Sequence, residues 1–312
     1  MSEKRDHGGG LDAAVAEYGG MRSDWIDLST GINPVPYPMP PLPTGAWTDL
    51  PDRDAADRLT AAARRFWSVP EGAAVLAAPG ASALIAQIPR LAAAGTVTVP
   101  APTYNEHAAS FAAQGWRVQT EGVSDAQVLV HPNNPDGKLW TPDDLQGPLT
   151  IVDESFCDIA PEHSLIQHAT RPGTLILKSF GKFWGLAGLR LGFVIGDPAL
   201  IARLTEMLGP WPVSGIATHV GAVALEDTAW AERTRHRLTA DAARLDDLFG
   251  GNGAEVIGGT SLFRLYRVED AAAWQDRLAR QRVWSRVFPY ASDWLRIGLP
   301  APDDWPQLER AF

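Results

Sequence analysis

Ser179-Phe180-Gly181-Lys182-Phe183-Trp184-Gly185-Leu186-Ala187-Gly188-Leu189-Arg190-Leu191-Gly192 is the stretch on which the reading of the fold turns. It sets one lysine among small residues, with a serine just before it and an arginine shortly after. A lysine that forms an imine with an aldehyde needs close, cramped surroundings, and an anion site nearby if the aldehyde carries a phosphate. The residues ahead of it, Thr174-Leu175-Ile176-Leu177-Lys178, are a short apolar run that reads as a buried strand. Lys182 is then expected in the loop at that strand's end, where α/β proteins place their ligands. An isolated lysine would more often be a solvated surface residue. The reading therefore depends on whether the other parts of such a site are also in the chain.

The chain-wide numbers are compatible with an enzyme of this kind. A length of 312 residues suggests about two domains, and 45% hydrophobic residues suffice for a full core. Acidic residues outnumber basic ones, 37 against 27, for a formal charge of −10. That argues against a nucleic-acid surface, which needs clustered Lys and Arg. A single cysteine, Cys157, excludes an internal disulfide framework. The N-terminus is charged, with no apolar stretch behind it to make a signal peptide. No apolar run approaches membrane-spanning length. A cytoplasmic enzyme is the expectation. The 12 tryptophans are many for this length and have no single explanation in the sequence.

Short apolar strands alternate with helices through the middle of the chain. Strands are expected at 74–78, 96–99, 117–120, 128–131, 149–152, 174–177 and 193–195, with helices at 52–67, 82–93 and 104–113. This alternation predicts an α/β fold with a mainly parallel sheet covered on both faces. Proline density between Pro34 and Pro43 is too high for regular structure. After Pro212 the pattern changes to a helix-rich stretch from Gly215 to Phe249, then strand-like and helical segments of a smaller α+β domain. The expected division is 45–212 for the large domain, and 1–44 with 213–312 for the small one.

The lysine stretch resembles the signature of the fold-type I aminotransferases that use pyridoxal 5′-phosphate. Some eight positions agree over the fourteen residues quoted. The resemblance implies the fold-type I architecture, an imine between Lys182 and the cofactor aldehyde, and an anion site that includes Ser179 and Arg190. Gly80-Ala81-Ser82, at the turn after the strand 74–78, matches the family's glycine turn for the cofactor phosphate; read for itself, it is a helix N-terminus with a serine. Asp153, in Ile151-Val152-Asp153-Glu154-Ser155-Phe156, matches the acid that keeps the pyridine nitrogen protonated. Asn134, ahead of Pro135, matches the asparagine that contacts the cofactor. Tyr104, in Pro102-Thr103-Tyr104, matches the ring that stacks on the pyridine, and Arg296 the arginine that binds a substrate carboxylate. Two positions depart from the pattern. Phe156 and Leu50 stand where related enzymes often carry tyrosines, so neither supplies a hydroxyl.

Within that family, His7-Gly8-Gly9-Gly10 followed by Asp27-Leu28-Ser29-Thr30-Gly31-Ile32-Asn33-Pro34 is similar to the opening of the threonine-phosphate decarboxylases of cobalamin biosynthesis. This adds His7, Gly8 and Asn33 as candidate substrate-binding residues. It implies a phosphorylated amino acid as substrate, no metal, and a homodimer. Two other readings stay open. One is a transaminase of the histidinol-phosphate type. The other is a degenerate member of the fold acting as a partner in corrinoid assembly.

Overall fold

The computed structural model describes residues 7–312. Contacts divide the described chain into two units. The larger comprises Pro36–Asn134 and Leu139–Arg233. The smaller comprises the described residues up to Val35, Pro135–Lys138, and Thr234–Phe312.

The larger unit is built on a seven-stranded sheet. Its strands lie in the order Ala74–Ala78, Gly192–Gly196, Thr174–Ser179, Leu149–Asp153, Ala126–Val130, Thr96–Thr98 and Arg117–Gln119. Five of these pair in parallel through the middle and far edge. Gly192–Gly196 runs antiparallel to both its neighbours. The central strands are buried along their whole length, as continuous apolar runs in a sheet covered on both faces should be. Helices Ala81–Gln87, Asn105–Ala113 and Pro198–Leu208 supply residues to one core, with Leu84, Phe111 and Leu204 packed among Val97, Val128, Ile151 and Leu177. The helix expected over 82–93 is shorter, Ala81–Gln87, and continues as a tighter turn, Ile88–Leu91. Pro89 lacks the N–H that a further α-helical turn requires.

Helix Arg53–Phe66 packs against helix Gly215–Glu226. Asp52 and Ser214 cap the two N-termini, each side chain accepting from a backbone N–H. Close approach explains Gly221: a Cβ there would stand 3.0 Å from the Leu59 side chain. The helix-rich stretch from 215 to 249 is two helices, parted at Asp227, whose Oδ1 accepts from the Trp230 N–H at 2.9 Å.

The unit boundaries differ from 45 and 212. Residues 36–44 and 213–233 fall in the larger unit. Tyr37 shows why: its N–H donates to the Trp184 carbonyl at 2.9 Å, and its ring lies 5.9 Å from Trp184 and 5.1 Å from Trp230. Trp184 is in turn stacked between Phe180 and Trp230, at 5.1 and 5.3 Å. Three of the unexplained tryptophans, Trp67, Trp184 and Trp230, thus belong to one aromatic core behind the lysine loop.

The smaller unit holds a four-stranded antiparallel sheet in the order Arg286–Phe288, Ala291–Gly298, Phe263–Arg267, Glu255–Thr260. A short parallel pair joins Ile26–Asp27 to Val283–Trp284. Helix Leu11–Tyr18 packs near it through Tyr18, whose ring lies 6.2 Å from Trp25 and 6.4 Å from Trp284. No helix among the described residues is long and apolar enough to cross a membrane.

Candidate active site

Lys182, Asp153, Ser179, Arg190, Ala81, Ser82, Tyr104 and Asn134 line a single pocket of the larger unit. Segments far apart in sequence are brought there by the strand order, because their loops leave the same end of the parallel strands.

The lysine loop is closed on itself. Phe180 N–H donates to Leu191 O and Leu186 N–H to Phe180 O, both at 3.1 Å. A turn from Lys182 to Gly185 follows, with Gly185 at φ 68°, a conformation glycine adopts without strain. Phe183 and Trp184 are fully buried, so they pin the loop while Lys182 itself is half-buried. Its Nζ lies 5.3 Å from the centre of the Phe156 ring. Phe156, where a tyrosine is frequent, therefore forms an apolar floor under the amine.

Asp153 ends its strand with a side chain only 3% exposed. Its Oδ2 lies 2.8 Å from His107 Nε2, and its Oδ1 accepts from the Ser155 hydroxyl at 2.5 Å and the Ser155 N–H at 3.0 Å. Burial alone would raise the pKa of this carboxyl. The His107 bond and charge and the two Ser155 bonds outweigh it and hold Asp153 below the ordinary aspartate range. A carboxylate that stays ionised here can hold a proton on a basic ring nitrogen. Because a carboxylate only accepts, the His107 proton must be on Nε2.

The opposite end of the pocket suits an anion. Gly80 has φ 82°, and a Cβ there would stand 2.6 Å from an Arg190 guanidinium nitrogen. Arg190 is itself left-handed, φ 53° and ψ 50°, a strained conformation for arginine. It donates to Ala187 O at 3.1 Å, with its other terminal nitrogen 3.5 Å from Ser82 Oγ. Ser179 Oγ accepts from Gly181 N–H at 3.2 Å. Tyr104 and Asn134 are held by a latch next to them: Thr103 Oγ donates to Asn133 Oδ1 at 2.6 Å, and Asn133 Nδ2 donates to Pro102 O at 3.0 Å.

On the other side of the same strand ends lies a buried ionic cluster that the sequence reading did not find. Lys178 Nζ is 2.6 Å from Glu154 Oε2 and 3.6 Å from Asp158 Oδ1. Glu154 also accepts from Ser164 Oγ and Leu165 N–H, both at 2.6 Å, and Asp158 from the indoles of Trp67 and Trp184. Burial would depress the Lys178 pKa, but the two carboxylates outweigh it and push it above the ordinary lysine range. His131, Glu154 and Cys157 converge near this cluster. Both His131 ring nitrogens are engaged, with His163 O and with Trp140 N–H, so the trio does not present an open ligand set.

His107 and Ser155 were also missed as site residues. His107 stands three positions after Tyr104, which precedes helix Asn105–Ala113, with their rings 6.0 Å apart, and this spacing was the available signal. Ser155 stands in the quoted segment Ile151 to Phe156, where only Asp153 and Phe156 were given a reading.

The remaining candidates are in the smaller unit. Arg296 is buried, its guanidinium 5.2 Å from the Phe263 ring and donating to Ser29 O. Ser29 Oγ donates to Asp27 Oδ1 at 2.5 Å and accepts from Gly9 N–H at 2.7 Å. Trp284 Nε1 donates to Gly9 O at 3.2 Å and Arg286 to His7 O. His7 and Gly8 are thereby fixed beside Ser29 and Arg296. Asn33 is buried, its Oδ1 accepting from Val35 N–H at 3.0 Å and from Arg237 at 2.6 Å.

These features fit pyridoxal 5′-phosphate. One pocket holds an amine, a buried acid that remains ionised, and, at Gly80, Ser82 and Arg190, a cradle that a Cβ would fill.

Comparison with known proteins agrees with the geometry. Residues 122–311 match the family described as "Aminotransferase class I and II". The chain is similar to a threonine-phosphate decarboxylase of Sinorhizobium sp, 40% identical with 97% of this chain and 95% of that one covered. It is also similar to a threonine-phosphate decarboxylase of Pseudomonas aeruginosa, 38% identical over 98% and 97%. Among solved structures, the histidinol-phosphate aminotransferase of Sinorhizobium meliloti, in complex with pyridoxal-5′-phosphate, aligns with a TM-score of 0.81 at 19% identity, covering 97% and 93%.

Proposed function

The chain belongs to the aminotransferase class I and II family, and on that premise we propose that it decarboxylates L-threonine O-3-phosphate to (R)-1-amino-2-propanol O-2-phosphate in cobalamin biosynthesis. Pyridoxal 5′-phosphate, bound to Lys182, supplies an electron sink for the pair released when the bond from Cα to the carboxylate breaks.

The residues of the chain do the rest. Asp153, kept anionic by His107 and Ser155, holds a proton at the ring nitrogen. Lys182 would hold the cofactor through its aldehyde, and its amine would be the group placed to move a proton at Cα. Arg190, Ser82, Ser179 and the backbone at Gly80 and Ala81 bind the cofactor phosphate. Tyr104 and Asn134, which line the same pocket, would cover the ring and donate to its phenolic oxygen. Phe156 packs and donates nothing. Arg296 binds the substrate carboxylate, and His7, Gly8 and Asn33 bind its phosphate end.

Lys182, Asp153 and Arg190 lining one pocket is the observation that carries the cofactor assignment. The choice of substrate rests on the two near-full-length relatives and on the fastening of His7 and Gly8 beside Arg296. We further read the working form as a cytoplasmic homodimer. Met39, Trp47 and Leu50, 55%, 73% and 65% exposed, are large apolar side chains that a second copy would cover.

The test is carbon dioxide release from L-threonine O-3-phosphate with and without a keto-acid acceptor. Release without acceptor supports the proposal. Turnover only with acceptor makes the chain a transaminase and overturns it.

A further inference from the structure

We propose that Ser155 is a positioning residue for Asp153, its hydroxyl fixing the carboxylate and dispersing its charge so that the cofactor proton stays on the ring nitrogen. This rests on the cofactor reading above.

The geometry is specific. Ser155 directs two donors, its N–H at 3.0 Å and its Oγ at 2.5 Å, to the same oxygen of Asp153. The other oxygen meets His107 Nε2 at 2.8 Å. Rotation of the carboxylate would break all three bonds, so the group is locked before any ligand arrives. Ser155 and Asp153 both line the pocket. The charged and titratable groups that face Asp153 are His107 from helix Asn105–Ala113, Tyr104 at that helix's start, and, across the pocket, Lys182 and Arg190.

Each charge-assisted hydrogen bond makes the carboxylate a weaker base. With the hydroxyl removed, Asp153 becomes more basic and draws the shared proton toward itself. The ring then withdraws fewer electrons, and the imine nitrogen on Lys182 becomes easier to protonate. The backbone N–H bond survives in S155A, so the loop keeps its shape while only the hydroxyl is lost.

The experiment is a pH titration of the visible absorbance of the bound cofactor in wild-type protein, S155A and S155T. S155A is expected to titrate at higher pH, by about 0.5 unit or more, as the loss of part of a charge-assisted bond implies. S155T, which keeps a hydroxyl, should titrate with the wild type. S155G lacks the hydroxyl too and reads the same quantity should S155A fold poorly. A split in kinetics should accompany the shift, with kcat lowered and KM little changed. If S155A and S155G titrate as the wild type, or if S155T shifts as far as they do, the hydroxyl has no such role. A wild-type protein without the visible band would instead sink the cofactor reading, a separate result.

Discussion

Replacing Asp153 by asparagine tests the site where its electrostatics are best defined. The change is nearly isosteric. The amide oxygen can still accept from Ser155 Oγ and N–H, now at 2.5 and 3.0 Å, so the local fold is retained. His107, 2.8 Å from the other oxygen, can shift its proton to Nδ1 and accept from the amide instead. What is lost is one negative charge at a side chain 3% exposed, which the proposed function sets against a cationic ring nitrogen. Two unit charges about 4 Å apart at an effective dielectric near 20 attract by about 4 kcal/mol. Lost from the transition state, that is roughly a thousandfold in kcat. The assay is carbon dioxide release from L-threonine O-3-phosphate under cofactor saturation, with binding checked by visible absorbance. KM should move far less than kcat, since the charge acts on the bond-breaking step. A D153N protein that binds cofactor fully and keeps kcat within about tenfold of wild type would refute the role given to Asp153.

Three other outcomes are expected. G80A places a side chain at φ 82° and a Cβ 2.6 Å from Arg190, so the cofactor's dissociation constant should rise by about tenfold, or about 1.4 kcal/mol, measured by titrating apoprotein; an unchanged value would contradict the cradle. E154Q leaves the buried Lys178 ammonium with Asp158 alone at 3.6 Å, and the single amide oxygen of glutamine can take the place of only one of the two carboxylate oxygens that now accept from Leu165 N–H and Ser164 Oγ, so urea unfolding should show a loss of about 3 kcal/mol or more. A loss below about 1 kcal/mol would mean the cluster contributes little. Burial pushes the His131 pKa below its usual 6.5, so the unfolded chain takes up a proton at a pH where the folded one does not. Stability should hold above pH 6.5 and fall as pH drops from there toward the folded-state value, and the fall should be shallower in His131→Gln when urea midpoints are compared at pH 7 and pH 5.

One end of the candidate site was legible because it is written locally. Ser179 ends its strand, Lys182 and Arg190 follow in the next loop, and Asp153 ends an apolar strand, so strand-end logic finds them without the fold. His107 and Ser155 were not legible, because their task exists only through Asp153. A histidine inside a helix and a serine after an acid have many ordinary readings. The Lys178–Glu154–Asp158 cluster was hidden for another reason. Adjacent residues on a strand face opposite sides, so Glu154 and Lys178 serve the far side of the sheet from Asp153 and Ser179. The unit boundaries were placed by composition, which reads Pro34 to Pro43 as irregular. It is irregular, but Tyr37 inserts into the Trp184 and Trp230 stack, and packing rather than regularity decides where a segment belongs.

The most direct measurement is borohydride reduction of the protein loaded with pyridoxal 5′-phosphate, followed by trypsin digestion and mass spectrometry. The chain has four lysines to choose among: Lys4, Lys138, Lys178 and Lys182. The structure points to a phosphopyridoxyl group on Lys182 alone, in an uncut peptide running from Ser179 to Arg190. The label on any other lysine, or no label on a folded protein, would contradict the account.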